Sequence, residues 1–268
     1  MLKLYDYHIH SLHSFDSLTS VADICREAKK KGLAGLTFTE HIELANKPDE
    51  ADVIPKFPFY QRDIEKARTR YPDLELGMGL EIGFHFQKPD RLKELARLEN
   101  WDFIIGSLHS LDGLLTYNGE FIQGKEWEQV FDLYFRGICQ ALEFYNDCDV
   151  VGHIDMLRRY YPPEQATWLT YDKFAEPLDR MFRLLIEKGI GLEVNTAAWR
   201  FKLPDPHPPL SLLQRYRRLG GEIITCGSDA HTLPSVGYRL ADAYDFLRTA
   251  GFKYVSTFKE RKLKQIPL

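Results

Sequence analysis

No stretch of this 268-residue sequence approaches the roughly 18 consecutive apolar residues of a membrane-spanning helix. Cysteine is scarce and scattered. Cys25, Cys139, Cys148 and Cys226 form no Cys-x-x-Cys pair, which argues against a disulfide scaffold and for reduced thiols in a cytoplasmic protein. Basic charge is not in excess. Lys and Arg total 35 against 39 Asp and Glu, a formal net charge of −4, so the footprint of a nucleic-acid coat or an anionic-membrane binder is missing. The opening residues Met1-Leu2-Lys3-Leu4-Tyr5-Asp6 contain no apolar h-region, and no leader is expected there. No Pro-, Gly- or Ser-rich linker divides the sequence, so residues 1–268 are expected to form one domain.

What is present is an alternation of short apolar runs with longer amphipathic ones. Strands are expected at Leu4–His10, Leu33–Thr39, Leu74–Ile82, Phe103–Leu108, Asp149–Ile154, Gly191–Asn195 and Glu222–Cys226. Helices are expected at Val21–Lys31, Pro58–Arg70, Lys88–Leu98, Glu126–Asn146, Tyr171–Lys188, Pro209–Leu219 and Gly237–Ala250. Gly32, Gly189, Gly220 and Gly251 follow helical segments, where a left-handed cap is wanted. Seven strand–helix units predict a parallel sheet closed into a barrel, a fold of about 250 residues. Phe252–Phe258 is either an eighth strand or an edge piece.

Polar residues of metal-ligating type stand at the C-terminal ends of these strands: His8 and His10, Glu40 and His41, Glu81, His109, His153, Asn195, and Asp229 with His231. In a parallel α/β barrel that end builds the functional site. Strand alternation puts His8 and His10 on one face with Asp6, and turns Tyr5, Tyr7 and Ile9 away. Glu81 ends an apolar run, and a buried carboxylate there needs a partner. Its two oxygens suit it to bridge two cations. Mixed carboxylate and imidazole ligands without cysteine suit zinc, iron or manganese.

Together His8-Ile9-His10, Thr39-Glu40-His41, Glu81, Ser107-Leu108-His109, Gly152-His153 and Gly227-Ser228-Asp229-Ala230-His231 resemble the motifs of the PHP (polymerase and histidinol phosphatase) superfamily. Within it, the length and the opening His8-x-His10-Ser11-x-x-Ser14-Phe15-Asp16 are similar to monofunctional histidinol-phosphatases. The resemblance implies a distorted, TIM-like (β/α)7 barrel holding three divalent ions. One would take His8, His10, Glu81 and Asp229. A second would share Glu81 and add His109 and His153. The third would take Asp16, His41 and His231, with His13 as an alternative to Asp16. Many relatives have His where Asp16 stands.

The implied reaction is hydrolysis of a small phosphate monoester, L-histidinol phosphate, by a metal-bridged hydroxide in histidine biosynthesis, with Glu81, Asp229 and His231 as catalytic residues. Another PHP phosphoesterase, acting on phosphotyrosine or nucleic acid, is the alternative. The nuclease version wants a basic groove, and only Lys259–Lys264 is Lys/Arg-rich. A non-catalytic domain would be expected to lose ligands. Arg159 and Arg200 are expected to bind phosphate through their planar forks, and Arg158 to be solvated. Ser14 and Asn195 are further candidates for substrate hydrogen bonds. The leaving alkoxide needs a proton, from Asp229 or a nearby histidine. His207 reads as an ordinary loop residue and His85 as solvated. Glu43 or Asp112 could meet the substrate's amino group, and Phe15, Phe84, Tyr117, Tyr161, Trp168, Trp199 and Phe201 supply aromatic loop surface. Nothing in the sequence speaks to oligomeric state, and neither nucleic acid nor membrane is expected as a partner.

Overall fold

A computed structural model describes residues 2–47 and 49–268. Among them, seven strands form one parallel sheet: β1 (Tyr5–Ile9), β2 (Gly35–Ile42), β3 (Glu75–Gly83), β4 (Phe103–Ser107), β7 (Val150–Val151), β8 (Gly191–Asn195) and β9 (Ile224–Gly227), neighbours in that order. The sheet curls until its edges meet. Asp229 N donates to His8 O at 2.8 Å and His10 N to Ala230 O at 2.9 Å. The result is the expected distorted (β/α)7 barrel, nearly closed, with residue 8 beside residue 230.

The crossover helices follow their sequence signals. In α1 (Val21–Lys30), Ser20 caps the N-terminus by accepting from Asp23 N, and Lys29 and Lys30 lie in the last turn. Val21, Ile24, Cys25 and Ala28 form its buried stripe, the i, i+3, i+4, i+7 spacing of an amphipathic helix. The helices α2 (Phe57–Arg70), α3 (Pro89–Ala96), α4 (Trp127–Phe144), α6 (Ala175–Lys188), α8 (Leu210–Arg218) and α9 (Leu240–Ala250) fall inside or within one residue of the expected ranges. Two one-turn helices, α5 (Pro163–Ala166) and α7 (Ala197–Arg200), lie in the loops after β7 and β8.

Three departures have local causes. First, β1 is bulged: its register against β2 shifts between Asp6 and Ile9. The extra residue breaks simple alternation. Tyr5 and Tyr7 therefore pack with Phe103, Ile105 and Val150, while Ile9 joins the large core shared with the helices. Asp6 does not join His8 and His10 as a ligand. Its carboxylate accepts from Ser228 N, Ser228 Oγ and Gly237 N, which fastens the loop after β9. Second, Phe252–Phe258 is no eighth barrel strand. It contributes β10 (Tyr254–Lys259) to an antiparallel hairpin with β11 (Lys262–Pro267). Phe258 packs with Tyr5, Tyr7, Phe103, Ile105 and Val150, and Tyr7 Oη bonds both Phe258 N and Phe258 O. The hairpin plugs the barrel at the end opposite the histidines. Third, a small hairpin, β5 (Ser110–Leu111) and β6 (Leu114–Leu115), follows β4. Asp112 and Gly113 turn it with φ of 52° and 74°, the two left-handed positions that Asp-Gly favours.

Gly227 ends β9 where backbone must approach closely. A Cβ there would lie 2.3 Å from His8 Cβ and 2.5 Å from Glu193 Oε1. Gly227→Ala should destabilise the metal-free protein by about 1–3 kcal/mol through overpacking. An unchanged denaturant midpoint would show that β1 and β9 can separate without cost.

Candidate metal centre

The strand ends and the loop after β1 bring eight side chains together around one carboxylate. Glu81 sits at the C-terminal part of β3 and is buried. Its Oε2 lies 3.1 Å from His8 Nε2, 3.4 Å from His10 Nε2 and 3.2 Å from His41 Nδ1. Its Oε1 lies 2.9 Å from His153 Nε2 and 3.3 Å from His109 Nε2. Asp229 Oδ1 faces His8 Nε2 at 3.7 Å and His10 Nε2 at 3.5 Å. Asp16 Oδ2 lies 2.9 Å from His231 Nε2 and 3.4 Å from His41 Nε2. These separations match the edge of a coordination polyhedron with metal–ligand distances of about 2.1 Å. His8 Nε2 and His10 Nε2 are buried and lack a hydrogen bond, although carboxylate oxygens are near. Lone pairs that converge without bonding one another fit shared cations. The ligand-type atoms fall into overlapping groups, each within 4.8 Å: His8, Glu81 and His153; His8, His10 and Asp229; His10, Asp16, His41 and His231; and His41, Glu43 and His109.

Outer carboxylates fix the imidazoles. His8 Nδ1 donates to Glu193 Oε1 at 2.6 Å, and His109 Nδ1 to Glu43 Oε1 at 2.5 Å. Such partners set the tautomer and ring orientation of metal-binding histidines. Glu193 does more. Its Oε2 accepts His153 N at 2.9 Å and Asn195 Nδ2 at 3.2 Å, and Asn195 Nδ2 also donates to Asp229 Oδ2 at 3.3 Å. One buried acid on β8 thus reaches His8, His153 and Asp229. The sequence reading missed it, although an acid inside the otherwise apolar run Gly191-Leu192-Glu193-Val194 was a signal.

The charges compensate one another. Burial alone would raise the Glu81 pKa, but His8, His109 and His41 outweigh it and hold the carboxyl well below its usual range. Burial opposes charging of His109, yet Glu43 and Glu81 push it up to about 9. His8 is likewise raised, against burial, by Glu193, Glu81 and Asp229. His10 goes the other way, lowered by burial and by His231 and His41.

A cavity of about 290 Å³ opens over this cluster. Phe15, Tyr117, Met156 and Arg159 line it beside Asp16, His41, Glu43, Glu81, His109, His153, Asp229 and His231. Of the two arginines expected on phosphate, only Arg159 is among its lining residues. Arg200 instead donates to Ser228 O at 2.6 Å and Asp229 O at 2.8 Å. It braces Asp229, a non-glycine residue at φ 53°, a conformation costly for an L side chain. Ser14 is engaged within the protein. Its hydroxyl hydrogen goes to Glu40 Oε2 at 2.6 Å, while its oxygen receives His41 N at 3.1 Å and His10 Nδ1 at 3.3 Å. The same holds for Asn195, whose amide hydrogens go to Glu193 and Asp229 and whose oxygen accepts Ala197 N.

Other expectations are also corrected. Arg158 is buried against Asp155, not solvated. His207 is buried beside the same Asp155. His85 is buried near Ala45 O, and Phe84 is a core residue. His13 pairs with Asp63. Asp112 sits on an exposed hairpin turn, and Glu43 already holds His109.

Comparison with known proteins adds three findings. A family model described as PHP domain matches residues 6–197. The chain is 27% identical to a probable histidinol-phosphatase of Clostridium acetobutylicum, covering 97% of this chain and 99% of that one. It is similar to a crystal structure of histidinol phosphate phosphatase from Lactococcus lactis subsp. lactis, complexed with Zn, L-histidinol and phosphate, at 26% identity and a TM-score of 0.87, covering 98% of this chain and 100% of that one.

Two measurements follow from the geometry. Glu193→Gln should weaken zinc binding about 10- to 100-fold in competition with a chromophoric chelator; unchanged affinity would remove Glu193 from the centre. Before a cation binds, Glu43 and Glu81 push the His109 pKa up to about 9 from the usual 6.5. Its charged pairing therefore stabilises the fold fully below about 6.5 and fades as the pH rises through about 9. A cation needs the neutral ring, so zinc addition at neutral pH should expel this proton. Proton release that does not fall by at least one as the pH is raised past about 9 would contradict the assignment.

Proposed function

The chain belongs to the PHP domain family, and on that footing we propose that it is a metal-dependent phosphomonoesterase hydrolysing L-histidinol phosphate to L-histidinol and phosphate, a step of histidine biosynthesis. The observation that carries this reading is the convergence on Glu81 of imidazoles and carboxylates from the strand ends, under a cavity that Arg159 also lines. Relatives that match it end to end are histidinol-phosphatases, and one of them was captured with Zn, L-histidinol and phosphate. The ligands are His8, His10, Glu81 and Asp229 for one ion, Glu81, His109 and His153 for a second, and Asp16, His41 and His231 for a third. Zinc, iron and manganese all suit this donor set. Bound there, such ions supply a water of lowered pKa and positive charge against the phosphate oxygens.

The chain's own residues do the rest. Arg159 presents a guanidinium to the phosphate. Phe15, Tyr117 and Met156 give the organic group an apolar wall beside it. Asp229 Oδ2, oriented by Asn195 and held by the Arg200 brace on its backbone, can take the nucleophile's proton and pass it to the leaving alkoxide. His231 Nδ1 is fixed on Asp229 O at 3.1 Å, which aims Nε2 at Asp16 and lines the cavity's outer edge. Residues 1–268 act as one domain in this reading. We place the protein in the cytoplasm, which its four buried, unpaired cysteines support; no helix among the described residues is long and apolar enough to cross a membrane.

Phosphate release from L-histidinol phosphate should be abolished by chelation and restored by zinc, iron or manganese, with elemental analysis giving three ions per chain. A fully loaded protein that turns over phosphotyrosine peptides or nucleic acid but not L-histidinol phosphate would overturn the substrate. Arg159→Ala should raise KM about 10- to 100-fold, the loss of one charged hydrogen-bonding partner, while leaving metal content unchanged.

A further inference from the structure

Beneath the loop that carries Arg159 lies a buried charge cluster that the reaction does not use. Asp155 is 0% exposed, Arg158 1% and His207 2%. Arg158 Nη1 donates to Asp155 Oδ2 at 2.8 Å, and His207 Nδ1 lies 3.1 Å from the same oxygen. Arg158 Nη1 also reaches Pro206 O at 3.2 Å. Three ionisable groups out of water are a poor source of stability compared with apolar packing. Their placement suggests what they do instead.

The cluster joins two segments. Asp155 and Arg158 belong to the 3₁₀ turn after β7, Met156–Tyr160, and its N-cap. Pro206 and His207 belong to the strap that follows α7, which is tied to β8 by Asn195 N to His207 O at 2.7 Å and His207 N to Asn195 O at 3.0 Å. Arg159 is held between the same two segments. Its guanidinium lies 5.0 Å from the Tyr160 ring, on the turn, and 5.3 Å from the Phe201 ring, at the start of the strap. Arg159 Nη2 donates to Tyr117 O and Tyr160 Oη, each at 2.9 Å. Arg158 pulls turn and strap together on the buried side, and Arg159 sits in the slot that results on the cavity side.

We infer that Asp155, Arg158 and His207 are positioning residues for Arg159: their buried charge cluster clamps the strap onto the turn and sets where the phosphate-binding guanidinium stands. This rests on the phosphate-binding reading of Arg159 given above. Misplacing a binding group by an ångström from a distance can reduce rates up to about 100-fold.

The test uses the full-length, metal-loaded protein, with L-histidinol phosphate as substrate and inorganic phosphate as competing ligand. Arg158→Met and Asp155→Asn should raise KM and the inhibition constant of phosphate about ten-fold or more, with bound metal unchanged and kcat reduced less than KM is raised. Arg158→Lys, which keeps the charge on Asp155, should recover part of the loss. Phe201→Leu alters an exposed wall of the slot, does not threaten the core, and should shift both constants the same way even if the buried variants fail to fold. Arg159→Ala is the reference. If it leaves KM unchanged, the phosphate reading of Arg159 fails. If it raises KM while Phe201→Leu and every folded cluster variant do not, or if those variants lose metal instead, the positioning role fails.

Discussion

One buried carboxylate organises this protein. Glu81 stands at the end of an apolar strand, where an isolated charge would be untenable. Five imidazoles from four other strand ends approach its two oxygens within 3.4 Å. Without metal, protons on His8, His41 and His109 balance its charge, and their raised pKa values express that pairing. With metal, cations replace those protons. The carboxylate is compensated by positive charge in either state, so the barrel can be built before it is loaded. The same constraint explains why the ligands come from separate strands: one helix face or loop could not surround both oxygens of a single carboxylate.

A layer of acids and amides lies outside the ligands. Glu193, Glu43 and the Glu40–Ser14 pair each fix one histidine, and Asn195 links Glu193 to Asp229. Arg200 bonds the carbonyls on either side of the bond between Ser228 and Asp229. Much of the polarity near the site thus serves orientation. This matters for catalysis because ligand directions, not only ligand identities, decide how a metal presents its charge.

The fold and the gathering of these side chains around Glu81 were legible because each depends on a pattern carried by short segments. Apolar runs of strand length, helical stripes and Gly caps define the seven units, and the clustered side chains other than Asp16 sit at or just beyond the C-terminal end of a strand. The errors arose where a side chain's direction depends on distant chain. Ser14 and Asn195 have polar groups suited to substrate, but Glu40, Glu193 and Asp229 from other strands engage them first. Arg158 and Arg159 are neighbours that point to opposite sides of a 3₁₀ turn, and no local rule says which is buried. Asp6 left the ligand face because a bulge in β1 shifted the alternation on which the expectation rested. Glu193 was readable as an acid in an apolar strand, and its several partners were not.

The closure of the barrel through residues 8 and 230 also has a temporal side. His8 and His10 emerge first during synthesis, yet the oxygens of Asp229 and the hydrogen bonds that hold β1 against the loop after β9 arrive more than two hundred residues later. The Phe258 backbone that grips Tyr7, one residue before His8, comes later still. A nascent chain cannot offer the completed cluster to a cation, because non-local pairings of this kind close only when their distant partner exists. Metal acquisition is therefore a finishing step. A ribosome stalled before β9, or a chain clipped there, leaves a set of histidines with no closed ring to hold them.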